Sequence, residues 1–222
     1  SWMSNACHSS SVVPRWRESR RCSLVSVGMQ SPTPAQPLEP VTAIVDAFAS
    51  HDIVALGEGD HGNAEAYAFR LALIGDPRFA DAVNDIVVET GNARYQALVD
   101  AYVGGQPVPR AELESVRLAT TQDPAATRSP VYEGLISGVR AINQMLPVSK
   151  RLRVLLADPP GQWSKVSMAE RRRVDRDTFA AAMIRREVVG RRRRALLVYG
   201  DGHLAHRRRS SVVSQLEATG IR

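Results

Sequence analysis

The sequence is poor in cysteine and in long apolar stretches, and each shortage argues against a class of protein. Only two cysteines, Cys7 and Cys22, occur among the 222 residues, and both precede the first segment with a periodic apolar pattern. They are therefore not expected to staple the fold or to form a metal site. No run of about 18 apolar residues occurs, so no membrane-spanning helix is expected.

Lysine is also scarce, which changes the meaning of the basic charge. Only Lys150 and Lys165 are lysines among the 29 lysine and arginine residues, and the formal net charge is +6. Biased coding explains this arginine excess more simply than selection for phosphate contacts does. Residues 165–209 hold 14 basic and 5 acidic side chains, but no aromatic side chain interrupts the arginine runs. The pattern favours solvated helix faces over a nucleic-acid surface.

The chain is expected to form one domain preceded by an extension. Residues 1–38 show no apolar periodicity and end in a proline-rich stretch, which predicts a disordered extension and linker. Residues 39–222 are enough for a single α/β domain with a sizeable core. The extension contains no convincing signal-peptide core, and this favours a cytoplasmic location.

Four nearly continuous apolar runs, at 53–57, 85–90, 153–158 and 195–200, predict strands that are buried on both faces. Segments with helical periodicity precede and separate these strands. From the second strand onwards they lie at 93–103, 110–118, 130–146, 168–190 and 204–219. Strands that alternate with helices in this way predict a mostly parallel sheet with helices packed on both faces.

The C-terminal segment carries a separate prediction. The last helical pattern is followed by Gly220, a typical residue just after a helix end. Because another strand normally follows in this architecture, we expect a chain truncated at a sheet edge. Strand four or a neighbouring strand is then left unpaired and prone to association.

Acidic and histidine side chains follow all four predicted strands. In parallel α/β sheets the ligand binds at the carboxyl ends of the strands, where the connecting loops converge. The side chains are Glu58, His61, Glu89, Asp158, Asp201 and His203. Four of them, Glu58, His61, Glu89 and His203, are expected to meet in one pocket, whereas Asp158 either faces this site or caps the loop after the third strand.

Two glycine-rich turns, "GEGDHG" and "GDGH", each present an acid and then a histidine before a predicted helix. The glycines permit sharp turns, and Asn63 is the predicted N-cap of the first of these helices. Backbone N–H groups at such a helix start can hold an anionic group or an oxyanion. Arg94, five residues after Glu89, is interpreted as a ligand of a substrate carboxylate or as the partner of a nearby acid. Asp158 and Asp201 are the other two candidate substrate-binding residues.

Two mechanisms fit this set of residues. Without a metal, neutral His61 is the general base, and Glu58 or Glu89 orients it. His203 and backbone amides then stabilise the oxyanion. With a metal, His61, His203 and one or two of the carboxylates hold a divalent ion that activates water. Either mechanism requires the ring nitrogens of the two histidines to lie within about 4–7 Å of each other.

These motifs resemble those of a known superfamily. "GEGDHG", a strand ending in Glu89 and "GDGHL" before a helix are similar to the pattern of the superfamily that contains the erythromycin esterases, the ChaN-type haem-binding uptake lipoproteins and the Tiki-type metalloproteases. The resemblance spans residues 40–222. The stretches "GNARYQALVDAYVGG" and "RVLLADPPGQW" look closer to uncharacterised bacterial members than to the biochemically defined ones.

The resemblance implies an α/β fold with a histidine and carboxylate site at the strand ends. In the esterase-like members the histidine that matches His61 activates water, and in the protease-like members the histidines and a glutamate bind a divalent metal. Glu58, Glu89 and His203 match the remaining positions. We therefore expect a hydrolase acting on an ester or related acyl bond of a small-molecule substrate. The alternative is a non-catalytic protein that binds haem, a metal or a small anion in the same pocket.

Overall fold

The computed structural model describes residues 38–60, 62–123, 127 and 129–221. From Leu38 onwards the chain forms one compact unit. The predicted disordered extension, residues 1–38, lies outside the described residues except for Leu38. His61, a central residue of the predicted site, also lies outside them.

Strands alternate with helices along the described chain. The elements are, in chain order, α1 (Pro40–Ala47), β1 (Ile53–Gly57), α2 (Ala64–Gly75), α3 (Phe79–Ala82), β2 (Asp85–Asn92), α4 (Gln96–Val103), α5 (Arg110–Leu118), α6 (Pro130–Met145), β3 (Arg153–Asp158), α7 (Met168–Arg171), α8 (Arg176–Glu187), β4 (Ala195–Tyr199), α9 (Asp201–Leu204) and α10 (Val212–Glu217). Short 3₁₀ helices lie at Ala93–Tyr95, Val148–Lys150, Trp163–Lys165 and Val189–Arg191.

The four strands pair in parallel in the order β1-β4-β2-β3. Alternate residues of each strand enter two separate cores. Ile86 and Val88 of β2 pack with α1 to α6, whereas Val87 packs with α8 and α10 on the opposite face. This confirms the predicted α/β fold, a parallel sheet with helices on both faces. The carboxyl ends of all four strands consequently lie at the same end of the sheet.

No described helix is both long enough and apolar enough to cross a membrane. Two predicted helices differ from the structure because local caps interrupt them. The segment 168–190 forms α7 and α8, since Ser167 begins α7 with a capping box and Asp175 begins α8 as its N-cap. The segment 204–219 likewise contains the end of α9 and then α10, which begins after the N-cap Ser211. Each break turns the chain where a continuous helix was expected.

The two outer strands of the sheet are protected differently. At the β3 edge, the side-chain amide of Gln96 donates to Val154 O (2.8 Å) and accepts from Leu156 N–H (2.9 Å). A side chain thus occupies the place of a neighbouring strand. At the other edge, β1 is only partly buried. Of the two strands predicted to be left at the edge, strand four or a neighbour, the structure shows the second: β4 lies between β1 and β2, and its neighbour β1 is an edge strand of the described sheet. The predicted C-terminal truncation stays a prediction.

Candidate functional site

The carboxyl ends of β2 and β4 bring Glu89 and His203 into contact. Glu89 lies on β2, and His203 lies on α9, which begins directly after β4. Glu89 Oε1 is 3.3 Å from His203 Nε2, and Glu89 Oε2 accepts a hydrogen bond from Gly200 N–H at 2.6 Å. Glu89 is 7% exposed. Two residues 114 positions apart, both predicted from strand ends, therefore form one ion pair.

A second carboxylate fixes the other side of the imidazole. His203 Nδ1 is hydrogen-bonded to Asp177 Oδ1, and Asp177 is a buried residue in the first turn of α8. The hydrogen bonds to Asp177 and to Glu89 raise the pKa of His203 to about 9, although partial burial acts in the opposite direction. At neutral pH His203 is therefore an imidazolium held between two carboxylates.

Glu89 stays ionised in spite of its burial. Desolvation by burial raises the pKa of Glu89, but the hydrogen bond and charge of His203, the Gly200 N–H and Arg176 together hold it below its ordinary value. Arg176 Nη1 is 3.4 Å from Glu89 Oε1, and Arg176 Nη2 is 3.4 Å from His203 Nε2. Two cations, the imidazolium and the guanidinium, thus share the Glu89 carboxylate at the floor of the site.

Glu58 has different neighbours from those expected. Its carboxylate accepts a hydrogen bond from the Tyr132 hydroxyl at 3.0 Å, and Arg70 Nη1 lies 3.7 Å away. Burial and the Glu58 charge both raise the pKa of Tyr132. Glu58 and Glu89 line the same small cavity of about 20 Å³ on the side of the sheet covered by α5 and α6. Glu58 does not line the main cavity above His203.

Of the remaining predicted residues, Asp201 lines the main cavity, and Asp158 and Arg94 do not. The Asp201 carboxylate lies against Gly57 at the end of β1, so a side chain at position 57 would displace it. Asp158 is fully buried behind Thr121, whose backbone N–H and hydroxyl both donate to it. Burial raises the pKa of Asp158 to about 6.

Arg94 is exposed and does not line the main cavity. The predicted distance between His61 and His203 falls outside the described residues and stays a prediction.

The cavity over the Glu89–His203 pair, called the main cavity for that position, has a volume of about 530 Å³, and a larger one of about 770 Å³ lies beside β1 and α10. Most residues that line the main cavity are polar or charged, and among the described residues Met168 supplies the only apolar side chain of the lining. Three arginines contribute to it: Arg171, Arg172 and Arg176. A cavity of this size and polarity suits a small polar ligand better than a large apolar one.

No family model, no curated protein and no solved structure matches the chain. The site must therefore be interpreted from its own residues. Among the described residues, no group of three or more histidine, cysteine, aspartate or glutamate side chains is arranged to hold a metal ion. Both ring nitrogens of His203 face carboxylates in this arrangement.

The sequence did not predict Asp177, Arg176 or Arg171 as site residues. Arg171 and Arg176 belong to the basic segment that was assigned to solvated helix faces, and that interpretation is wrong for Arg171, which is 8% exposed. The sequence signals that could have revealed these residues are the capping residues Ser167 and Asp175, which divide the predicted helix into α7 and α8. That break points the end of α7 and the start of α8 at the cavity, whereas a continuous helix would have placed Arg171 and Arg176 about 140° apart around its axis.

We expect the Asp177→Asn substitution to lower the pKa of His203 from about 9 towards its ordinary value. The neutral amide no longer stabilises the imidazolium, and only Glu89 remains as a counter-charge. An NMR titration of the imidazole signals measures this change. An unchanged His203 titration would contradict the assigned pair.

The same contact has a consequence for folding. Because the folded pKa of His203 lies above its unfolded value of 6.5, its contribution to stability is complete below about pH 6.5 and is lost as the pH rises through about 9. Thermal unfolding midpoints between pH 6 and 10 measure this loss. The His203→Gln variant should show a weaker decline over the same range.

Proposed function

We propose that the protein is a small-molecule hydrolase of the erythromycin-esterase-like superfamily, in which an activated water attacks an ester or related acyl bond. The observation that carries the proposal is the Asp177–His203–Glu89 arrangement at the floor of a polar cavity. Carboxylates that hold an imidazolium beside a cavity are typical of sites that move protons. The position at the carboxyl ends of a parallel sheet is the usual one for a ligand.

The charges assign different roles to the residues. The imidazolium of His203 and the guanidinium of Arg176 supply positive charge where an oxyanion develops on the carbonyl oxygen. Water adds to the carbonyl carbon and gives its proton to a base, which we propose is His61. The ester C–O bond then breaks, and His203 Nε2 gives a proton to the departing alkoxide. Glu89 and Asp177 keep His203 oriented and charged before this step.

The experiment is the hydrolysis of 4-nitrophenyl acetate by the purified protein. The wild-type chain should release 4-nitrophenolate, and His61→Ala should lower the rate by about 10²–10⁴-fold, the usual loss for a general base. His51→Ala is the matched control, because His51 is exposed and precedes β1 at the opposite end of the strand. Equal rates for wild type and His61→Ala would remove His61 from the mechanism.

Treatment with a chelator distinguishes the metal-free mechanism from the metal-dependent one. If the site works without a metal, prolonged treatment with a chelator leaves turnover unchanged. If His61, His203 and carboxylates hold a divalent ion, chelation abolishes turnover and added zinc restores it. Because the second mechanism needs a nitrogen of His203 as a ligand, it also requires His203 to lose its contact with Glu89 or with Asp177.

A second candidate function, small-anion binding without turnover, is favoured by the three arginines of the cavity. Saturable binding of inorganic phosphate together with no release of 4-nitrophenolate would support it over the hydrolase.

A further inference from the structure

Arg171 is a buried cation without a counter-charge. Arg171 as a whole is 8% exposed, and it lines the main cavity. Its Nε donates to Val166 O at 2.9 Å and its Nη1 donates to Thr120 O at 3.2 Å. Within the described part of the chain it forms no ion pair with a carboxylate. Burying a charge without a partner is costly, so a buried cation that faces a cavity indicates an anionic ligand.

Two further arginines of the same cavity, Arg176 and Arg172, make only long contacts with the neighbouring side chains that the structure describes. Arg176 makes its contacts with Glu89 and with His203 at 3.4 Å, longer than a good charge-assisted hydrogen bond. Arg172 lies 3.8 Å from Asp123, and its side chain is 72% exposed. A guanidinium has five N–H donors, so both side chains keep donors for a ligand. Arginine is also the residue best suited to bind carboxylate or phosphate groups with paired hydrogen bonds.

We infer that the site takes a substrate carrying an oxyanionic group, a carboxylate or a phosphate, bound by Arg171 and Arg176 with Arg172 at the rim. This inference names the substrate class of the proposed hydrolase and rests on that proposed function. Arg176 lies beside Glu89 and His203, so an anion bound there brings the adjoining ester next to the proton-transferring groups. The polar lining argues against haem and other large apolar ligands, because Met168 is its one apolar side chain among the described residues.

The first experiment compares two substrates that share one reacting ester. 4-Nitrophenyl benzoate is neutral, and mono-4-nitrophenyl isophthalate carries a meta carboxylate on the same acyl group, which cannot reach its own ester. We expect kcat/KM to be about 10–100-fold higher for the isophthalate, as one or two charge-assisted hydrogen bonds predict. Arg176→Gln should reduce this ratio towards one. The ratio separates anion binding from general loss of catalysis, because a purely catalytic defect lowers both rates equally.

Arg173→Gln is the matched control. Arg173 belongs to the same run, is exposed and does not line the cavity, so its variant should keep the wild-type ratio. Arg171→Gln should also lose the preference. The Arg171 side chain donates to two backbone carbonyls, so its replacement also affects stability. The thermal midpoint of Arg171→Gln is therefore measured together with that of Arg176→Gln, because the Arg176 side chain contacts no backbone carbonyl among the described residues. A ratio near one for the wild-type chain, or an unchanged ratio in Arg176→Gln, would overturn the inference.

The second experiment needs no turnover and so separates this inference from the proposed function. Isothermal titration with inorganic phosphate and with succinate should show saturable binding to the wild-type chain and at least tenfold weaker binding to Arg176→Gln. Tighter phosphate binding identifies a phosphate-bearing substrate, and tighter succinate binding identifies a carboxylate. Anion binding without ester turnover would support the inference and refute the hydrolase. Turnover of neutral esters with no anion binding would support the hydrolase and refute the inference.

Discussion

Replacing His203 by alanine is expected to lower kcat/KM for ester hydrolysis by about 10²–10⁴-fold, the range for loss of a general acid. The substitution removes the proton donor and a positive charge beside the developing oxyanion. It also leaves Glu89 without its imidazolium partner, so the thermal midpoint must be measured together with the rate. Steady-state kinetics with monoethyl isophthalate provide the measurement, because its ethoxide leaving group, unlike 4-nitrophenolate, needs a proton to depart.

His206→Ala is the control for this substitution. His206 lies three positions further along the chain and forms an exposed ion pair with Glu217. Its removal should leave kcat/KM unchanged. His203→Gln, which retains a hydrogen-bonding side chain, should remain folded and still lose activity. Near-wild-type activity in a folded His203→Gln protein would show that the imidazolium takes no part in the reaction.

Substitution of Asn143 by alanine is expected to lower the free energy of unfolding by about 3–4 kcal/mol, the largest stability effect that we predict from a single side chain. Asn143 is 1% exposed and lies on α6. Its amide donates to Val103 O at 3.1 Å and to Leu152 O at 2.8 Å, and its carbonyl accepts from Leu152 N–H at 2.8 Å. Alanine leaves three backbone groups without these partners. Both carbonyls and the N–H belong to segments that pack against the core.

Urea unfolding monitored by circular dichroism measures this loss by linear extrapolation. The adjacent residue Gln144 is exposed on the same helix, so Gln144→Ala should change the free energy of unfolding by less than about 0.5 kcal/mol. A loss below about 1 kcal/mol in Asn143→Ala would mean that water enters and replaces the amide.

The contact between Glu89 and His203 could be predicted because two independent rules agree on it. Continuous apolar runs identified the strands, and a parallel sheet places their carboxyl ends together. Asp177 could not be found in the same way, because it lies in the first turn of a helix and not after a strand. Its position depends on where α8 begins and on how α8 packs against β3 and α10, which is decided by tertiary packing.

Glu58 shows the limit of the strand-end rule. The rule predicts which end of the sheet a residue occupies, but not which face its side chain joins. Leu56 of β1 packs with the helices α1 to α6, and Glu58, two positions later, follows the same alternation towards Tyr132 and Arg70. Glu89 follows the alternation of Val87, and its carboxylate contacts His203 and Arg176 beside α8, although Glu89 also lines the small cavity that it shares with Glu58.

The side chain of Gln96 has a consequence for how copies of the protein can join. A strand that approaches β3 finds Val154 O and Leu156 N–H already bonded to that amide, whereas the residues of β1 are only partly buried and no described strand pairs with its outer side. Among the described residues, strand addition is therefore obstructed at β3 and not at β1. Two copies that met through β1 would consume each other's open side and leave none for a third. Association by strand addition is thus self-limiting, and it ends at a pair instead of growing into a fibre.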